Sequence, residues 1–256
     1  MIGAIAGDII GSIYERHNIN RTDFPLFDPM CRFTDDTVLT IAVAHSILHN
    51  EGYEKSLKRY YSYYPEAGYG PLFRKWAARK DSTPYNSCGN GSAMRVSPVG
   101  FAFDTLEEVL LEAEKSASVS HNHPEGIKGA QATASAVFLA KKGKSKQEIR
   151  EYIEKTFKYD LNRTFEELRK HYTHSATCQG TVPESIIVFL ESENYEDAIR
   201  KAISIGGDSD TIACITGGIA QAFYKHVPEH IENKVFQILD DRLIQIVKEF
   251  STKYPL

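Results

Sequence analysis

"GGDSDTIACITGG", residues Gly206–Gly218, sets two aspartates one residue apart, behind paired glycines and directly ahead of an apolar run of helical character. Asp, Ser and Thr commonly satisfy the free N–H groups at a helix start, and the helix dipole favours one carboxylate there by roughly 0.3–1 kcal/mol. Neither effect accounts for a second carboxylate two positions on, where like charges repel and burial raises the cost of keeping both ionised. Two readings stay open at this point: an acidic helix cap, or a site whose charge a bound cation neutralises.

Working outward, "FTDDTVLTIAVA" repeats the layout some 170 residues upstream, with Thr34, Asp35 and Asp36 just before an apolar helical run. Asp35 and Asp36 meet the same electrostatic objection as Asp208 and Asp210, and Thr34 and Thr211 place a hydroxyl beside each pair. Two such helix starts brought together offer four carboxylates and two hydroxyls, an all-oxygen set suited to Mg²⁺, Mn²⁺ or Ca²⁺ rather than zinc. Neither quoted segment contains any of the nine histidines. Asp8 and Glu15, seven apart in "GAIAGDIIGSIYE", read as lying on one face of a first helix and are candidates to extend the cluster.

Helical spacing dominates the remainder. Ile2, Ile5, Ala6, Ile9, Ile10 and Ile13 form an apolar stripe that leaves Asp8, Ser12 and Glu15 to one side. Similar periodicity runs through segments 35–50, 123–143, 181–192 and 195–204, and through one long stretch at 228–250. Alternating strand patterns are scarce, and Gly and Pro fall mostly between the periodic segments. The pattern predicts an all-α protein of ten or more helices. No linker, repeat or low-complexity tract divides the 256 residues, so one domain over 1–256 is expected. The most polar stretch, "KYDLNRTFEELRKHYTHSATCQG" (158–180), reads as a surface excursion.

With 30 basic and 34 acidic residues the net charge is −4, which implies no partner of the nucleic-acid or membrane kind. The four cysteines are dispersed and form no C-x-x-C pair, a pattern that fits a reducing cytoplasm. The opening apolar stretch carries Asp8 and is too short before Glu15 to span a bilayer.

Two further loops carry chemistry. "SCGNGSAMRVSP", Ser87–Pro98, is either a backbone cradle for a phosphate or a tight turn that lets helices approach; it is neither a Walker loop nor a dinucleotide fingerprint. Arg95 either adds charge there or braces a carboxylate. "SVSHNHPEG" puts His121 and His123 just before a helix, as structural or ligand-contacting residues. The tyrosines of "RYYSYYPEAGYG" (59–70) read mainly as packing and surface residues.

Taken in order, "GAIAGDIIGSIYE", "FTDDTVLTIAVA", "CGNGSAMRVSP", "SHNHPEGIKGAQATASAVFLA" and "GGDSDTIACITGGIAQAFY" resemble the ADP-ribosylglycohydrolase family, which includes dinitrogenase reductase-activating glycohydrolase and the serine-directed ADP-ribosylhydrolases. The likeness runs nearly end to end. It implies a compact, orthogonal all-α bundle with a dinuclear cleft holding two Mg²⁺ or Mn²⁺ ions, and cleavage of the glycosidic bond at the distal ribose of ADP-ribose conjugates, whether modified protein or small molecule. The family's metal ligands fall on Thr34, Asp35, Asp36, Asp208, Asp210 and Thr211. Glu15 matches a metal-site glutamate of the serine-directed branch, which points to serine-linked or O-acetyl-ADP-ribose. Glu15 and Asp36 are the expected water-activating residues. Gly89, Asn90, Gly91, Ser92 and Met94 match the phosphate-binding segment, and His121 and His123 the substrate-contacting histidines. Two alternatives stand beside this expectation: a module that binds ADP-ribose without cleaving it, and a magnesium-dependent nucleotide phosphohydrolase. The sequence sets no oligomeric state.

Overall fold

The computed structural model describes residues 1–256 as fifteen helices and no sheet. They are α1 (Ile2–Gly11), α2 (Asp35–His49), α3 (Tyr53–Tyr63), α4 (Pro71–Ala78), α5 (Gly91–Met94), α6 (Ser97–Ala102), α7 (Leu106–Ser118) and α8 (Pro124–Lys141). The second half adds α9 (Lys146–Phe157), α10 (Phe165–His171), α11 (Cys178–Leu190), α12 (Tyr195–Ser204), α13 (Ser209–Tyr224), α14 (Glu229–Ile238) and α15 (Asp241–Lys253). The expected all-α class is what is observed, with a single antiparallel bridge between Gly89 and Thr177. One continuous apolar cluster runs from α1 through α15. No helix is long and apolar enough to cross a membrane.

The axis of the fold is the pairing of α1 with α13, the most extensive helix contact in the molecule. Its cause is written in small residues. Gly3, Gly7 and Gly11 recur every fourth position along one face of α1, and a Cβ on Gly7 would stand 2.0 Å from the Ala213 carbonyl oxygen. On Gly11 it would meet the Asp210 Cα at 2.5 Å. The two backbones therefore approach closer than any side chain allows, and that approach sets Asp8 beside the start of α13.

Three expectations need correction. Burial of α1 is not confined to its apolar stripe: every residue from Ile2 to Gly11 is buried, Asp8 included. The helix also ends at Gly11, so Ile13 and Glu15 lie beyond it, in the following turn. The long periodic stretch 228–250 is two helices, because Asp240 interrupts it and accepts the Leu243 N–H at 3.0 Å as the cap of α15. The polar stretch 158–180 is not only an excursion, since it contains α10 and then runs inward, where Ala176 accepts the Asn90 N–H at 2.9 Å and Thr177 pairs with Gly89.

Candidate active site

The starts of α2 and α13 converge against Asp8. Thr34, the N-cap residue of α2, donates its Oγ1 hydrogen to Asp8 Oδ1 at 2.6 Å, and its N–H goes to Asp8 Oδ2 at 2.9 Å. Thr37 adds its N–H to Oδ2 at 3.1 Å and its hydroxyl to the same oxygen. Asp8 thus accepts four hydrogen bonds from the first turn of α2 and fixes that helix to α1. Sequence reading noticed Asp8 but missed Thr37; the only signal was its place directly after the two aspartates.

Thr34 Oγ1 also accepts the Asp36 N–H at 3.3 Å, which consumes its hydrogen and one lone pair and leaves the second lone pair unused. Asp36 is buried, and its Oδ1 has no hydrogen-bond partner. Asp210, in the first turn of α13, accepts the N–H of Thr211 at 2.9 Å. One oxygen from each of Asp8, Asp36 and Asp210 lies within 4.8 Å of the others.

Asp208, the residue capping α13, takes a 2.7 Å hydrogen bond from Asn90 Nδ2. Its position depends on the turn before it. Gly206 and Gly207 adopt φ of 77° and 72°, in the left-handed region, and Asn18 clamps Gly207 by accepting its N–H at 2.9 Å and donating to its carbonyl at 3.0 Å. A Cβ on Gly207 would also meet the Tyr172 ring at 2.3 Å.

The cost of this crowding appears in the proton affinities. Burial first, then the neighbouring carboxylates, push Asp36 and Asp210 well above the usual carboxylate range. Asp35, which keeps partial contact with the cavity, is raised to about 8 for the same reasons. Asp8 is raised by burial despite the hydrogen bonds that oppose the shift. No Lys or Arg pairs with any of these four carboxylates. The donor set is wholly oxygen, with an orphaned carboxylate oxygen and an unused hydroxyl lone pair, and it fits a hard divalent cation.

With Asp8 buried beside them, these groups form one wall of a cavity of 450 Å³. Thr34, Asp35, Asp36, Asp208, Asp210 and Thr211 all line it, and Glu15 reaches it from the turn after α1. The opposite wall carries Gly89, Asn90, Gly91, Met94 and His121. There the first-turn N–H groups of Gly91 and Ser92 make no intrahelical bond. A Cβ on Gly91 would stand 3.0 Å from His121 Nε2, so glycine is needed where loop and imidazole touch.

Two of the expected substrate contacts turn away from the cavity. Ser92 Oγ donates to the Gly126 carbonyl at 2.7 Å, and His123 Nδ1 accepts the Glu125 N–H at 3.1 Å as the cap of α8; neither side chain lines the cavity. Arg95 does not brace a carboxylate: it is fully buried, and Nη2 donates to the Ser116 carbonyl and to Ser120 Oγ. Tyr85 and His174 line the cavity without any sequence signal that singled them out. Of the tyrosine cluster, Tyr60 and Tyr69 are core residues, and the adjoining Gly68 packs against Asp35 Oδ1.

The chain is similar to known proteins along almost its whole length. ADP-ribosylhydrolase ARH3 of Homo sapiens is 26% identical over 311 residues, covering 90% of this chain and 86% of that protein. ADP-ribosylarginine hydrolase Tri1 of Pseudomonas putida is 23% identical over 290 residues, covering 96% of this chain and 78% of its own. A solved structure described as an ADP-ribosylglycohydrolase-related protein complex has the same fold, with a TM-score of 0.73 at 21% identity over 99% of this chain and 95% of that one. The family described as ADP-ribosylglycohydrolase matches residues 1–255. With that match over almost every residue, the chain belongs to the ADP-ribosylglycohydrolase family, and its enzyme class is glycohydrolase.

Proposed function

We propose that the protein is a divalent-cation-dependent hydrolase that cleaves the bond between the distal ribose of ADP-ribose and an oxygen-linked group, serine-linked or O-acetyl-ADP-ribose, and that one domain spanning 1–256 carries the reaction. The observation that carries this reading is the pairing of two unlike walls in one cavity: Asp36 and Asp210, with Asp8 buried beside them and no Lys or Arg paired with any of the three, facing a glycine loop and His121.

Thr34, Asp35, Asp36, Asp208, Asp210, Thr211 and Glu15 are the residues that would hold two Mg²⁺ or Mn²⁺ ions. Such ions supply neutralising charge and Lewis-acid purchase on the vicinal ribose hydroxyls. The chain's own groups do the rest. Asn90 orients Asp208 through the 2.7 Å bond. The free N–H groups of Gly91 and Ser92 and the His121 ring receive the diphosphate, in a loop shaped by the Gly89 N–H on Ser87 Oγ and the Asn90 N–H on Ala176, while the Ser92 and His123 side chains hold that loop and the start of α8 in place. Met94 supplies an apolar floor. Glu15, at the solvent-reaching edge of the cavity, takes the proton of the attacking water, with Asp36 Oδ1 as the second candidate base. The carboxylate wall favours the positive charge that develops on the ribose in an oxocarbenium-like transition state.

The test is parallel incubation with serine-linked, arginine-linked and O-acetyl ADP-ribose, with and without Mg²⁺ or Mn²⁺, and chromatographic identification of products. Free ADP-ribose from the oxygen-linked substrates, dependent on the cation, is the expected result. Release of inorganic phosphate or AMP, or ADP-ribose from the arginine linkage alone, contradicts the reading.

A further inference from the structure

Arg95 is a buried cation with no anion. It is fully excluded from solvent behind the lining of the cavity, no carboxylate pairs with it, and Nε and Nη1 have no hydrogen-bond partner. Its Nη2 reaches two acceptors, the Ser116 carbonyl at 2.8 Å and Ser120 Oγ at 2.9 Å. Ser120 Oγ in turn lies 2.8 Å from His121 Nδ1. The protein thus contains a three-member chain, guanidinium to hydroxyl to imidazole, ending at the cavity.

The direction of that chain is forced at its first link. A guanidinium only donates, so Ser120 Oγ accepts from Arg95 with one lone pair; its one further hydrogen-bond partner is His121 Nδ1 at 2.8 Å, and giving the hydroxyl hydrogen to that nitrogen is the arrangement that leaves no hydrogen without an acceptor. A ring nitrogen that accepts carries no hydrogen. The imidazole hydrogen therefore sits on Nε2, the edge that faces Gly91 and the cavity. We propose that Arg95 and Ser120 are positioning residues that lock His121 in the neutral Nε2–H tautomer, making it a fixed hydrogen-bond donor toward an anionic diphosphate in the cavity.

The surroundings support the same assignment. The groups that face the imidazole are Arg95 and the Tyr85 ring, whose centroid is 5.5 Å away in an edge arrangement. Burial and the Arg95 charge both disfavour the imidazolium, and no acid faces the ring to stabilise one. A donor that holds one hydrogen in one place gives direction to the bound group at little entropic cost, whereas a ring free to exchange tautomers would present a lone pair to an anion part of the time.

This inference rests on the functional reading only for the identity of the anion, so its decisive readout needs no ligand. Long-range ¹H–¹⁵N correlation spectra of protein labelled with ¹⁵N-histidine, with the His121 signals assigned by His121→Gln, report the tautomer. A protonated Nε2 and an unprotonated Nδ1 are expected at pH 7, with the neutral pattern persisting to pH 5.5. An Nδ1–H pattern or an imidazolium overturns the proposal. Ser120→Ala keeps Arg95 and removes only the relay; it is expected to mix the two tautomers and to weaken ADP-ribose binding, read by calorimetry, about 3- to 10-fold. Wild-type tautomer and affinity in that variant would contradict the assignment, while Arg95→Lys, which still donates, is expected to keep the Nε2–H pattern. Failure of the wild-type protein to bind ADP-ribose would instead break the functional reading, leaving the spectra of the unliganded protein to decide this one.

Discussion

The two walls of the cavity bury charge in opposite ways. On one, α1, α2 and α13 stack Asp8, Asp35, Asp36 and Asp210 with no basic partner, and proton affinity rises in each. On the other, Arg95 is buried with no acidic partner, and desolvation lowers its own affinity for the proton to about 10. Neither arrangement is economical for stability, because an unpaired buried charge is among the most expensive features a fold carries. No ion pair joins the two sets, so they do not neutralise one another; the carboxylates of α2 and α13 line the cavity, and Arg95 reaches it through Ser120 and His121. The proposed substrate, with a diol at one end and a diphosphate at the other, would answer both walls once a cation occupied the acidic side.

The comparison breaks most completely at Asp36. Asp36→Asn removes one of the crowded charges and replaces one carboxylate oxygen, a proposed cation ligand, with an N–H donor. Turnover should fall about 10³-fold or more, while the cation-free protein melts at a higher temperature than wild type. Loss of activity with a lower melting temperature would mean that Asp36 serves packing instead.

The helix approach that assembles the acidic wall is tested by Gly7→Ala. Its Cβ would stand 2.0 Å from the Ala213 carbonyl oxygen, a backbone atom that cannot step aside. The expected cost is about 3 kcal/mol of folding stability, at the upper end of overpacking effects, measured by urea denaturation.

Asn90 links the walls, because it belongs to the glycine loop yet spends its amide on Asp208 and on Thr181 Oγ1. Asn90→Ala should lower cation affinity about 10- to 100-fold with little effect on folding, read by calorimetric titration with Mn²⁺. An unchanged affinity would separate Asp208 from the cation site.

Smallest is the pH dependence, whose sign is fixed. Carboxylates with folded proton affinities above their unfolded values stabilise the fold most below the unfolded value of about 4, and lose that contribution as pH rises through the folded values. For Asp35 that upper bound is about 8. Without divalent cation, the melting temperature should therefore decline between pH 5 and pH 8, and saturating Mg²⁺ should flatten the decline. A rise with pH in the cation-free protein would contradict the account.

The two walls also differ in how far the sequence reveals them. The acidic wall was legible because like charges at adjacent helix starts have no structural excuse: Asp35–Asp36 and Asp208–Asp210 stand out at any distance along the chain. The role of Asp8 was less visible, since a lone aspartate in an apolar helix gives no sign of four donors waiting in another helix. On the opposite wall the Gly89–Gly91 loop was legible, but Arg95 was not, because its partners Ser116 and Ser120 come from the end of α7 and the turn after it, through contacts no spacing encodes. The all-α class followed from periodicity. The break at Asp240 did not, because neither Gly nor Pro marks it and the apolar period continues on both sides.

The central claim is that the acidic wall is built for divalent cations which displace protons. Its most direct test is calorimetric titration of the metal-free protein with Mn²⁺ at pH 6.5 in two buffers of different ionisation enthalpy. The account predicts saturable binding to two sites with net release of protons, seen as a buffer-dependent heat. Binding without proton release, or no saturable binding below millimolar Mn²⁺, would contradict it.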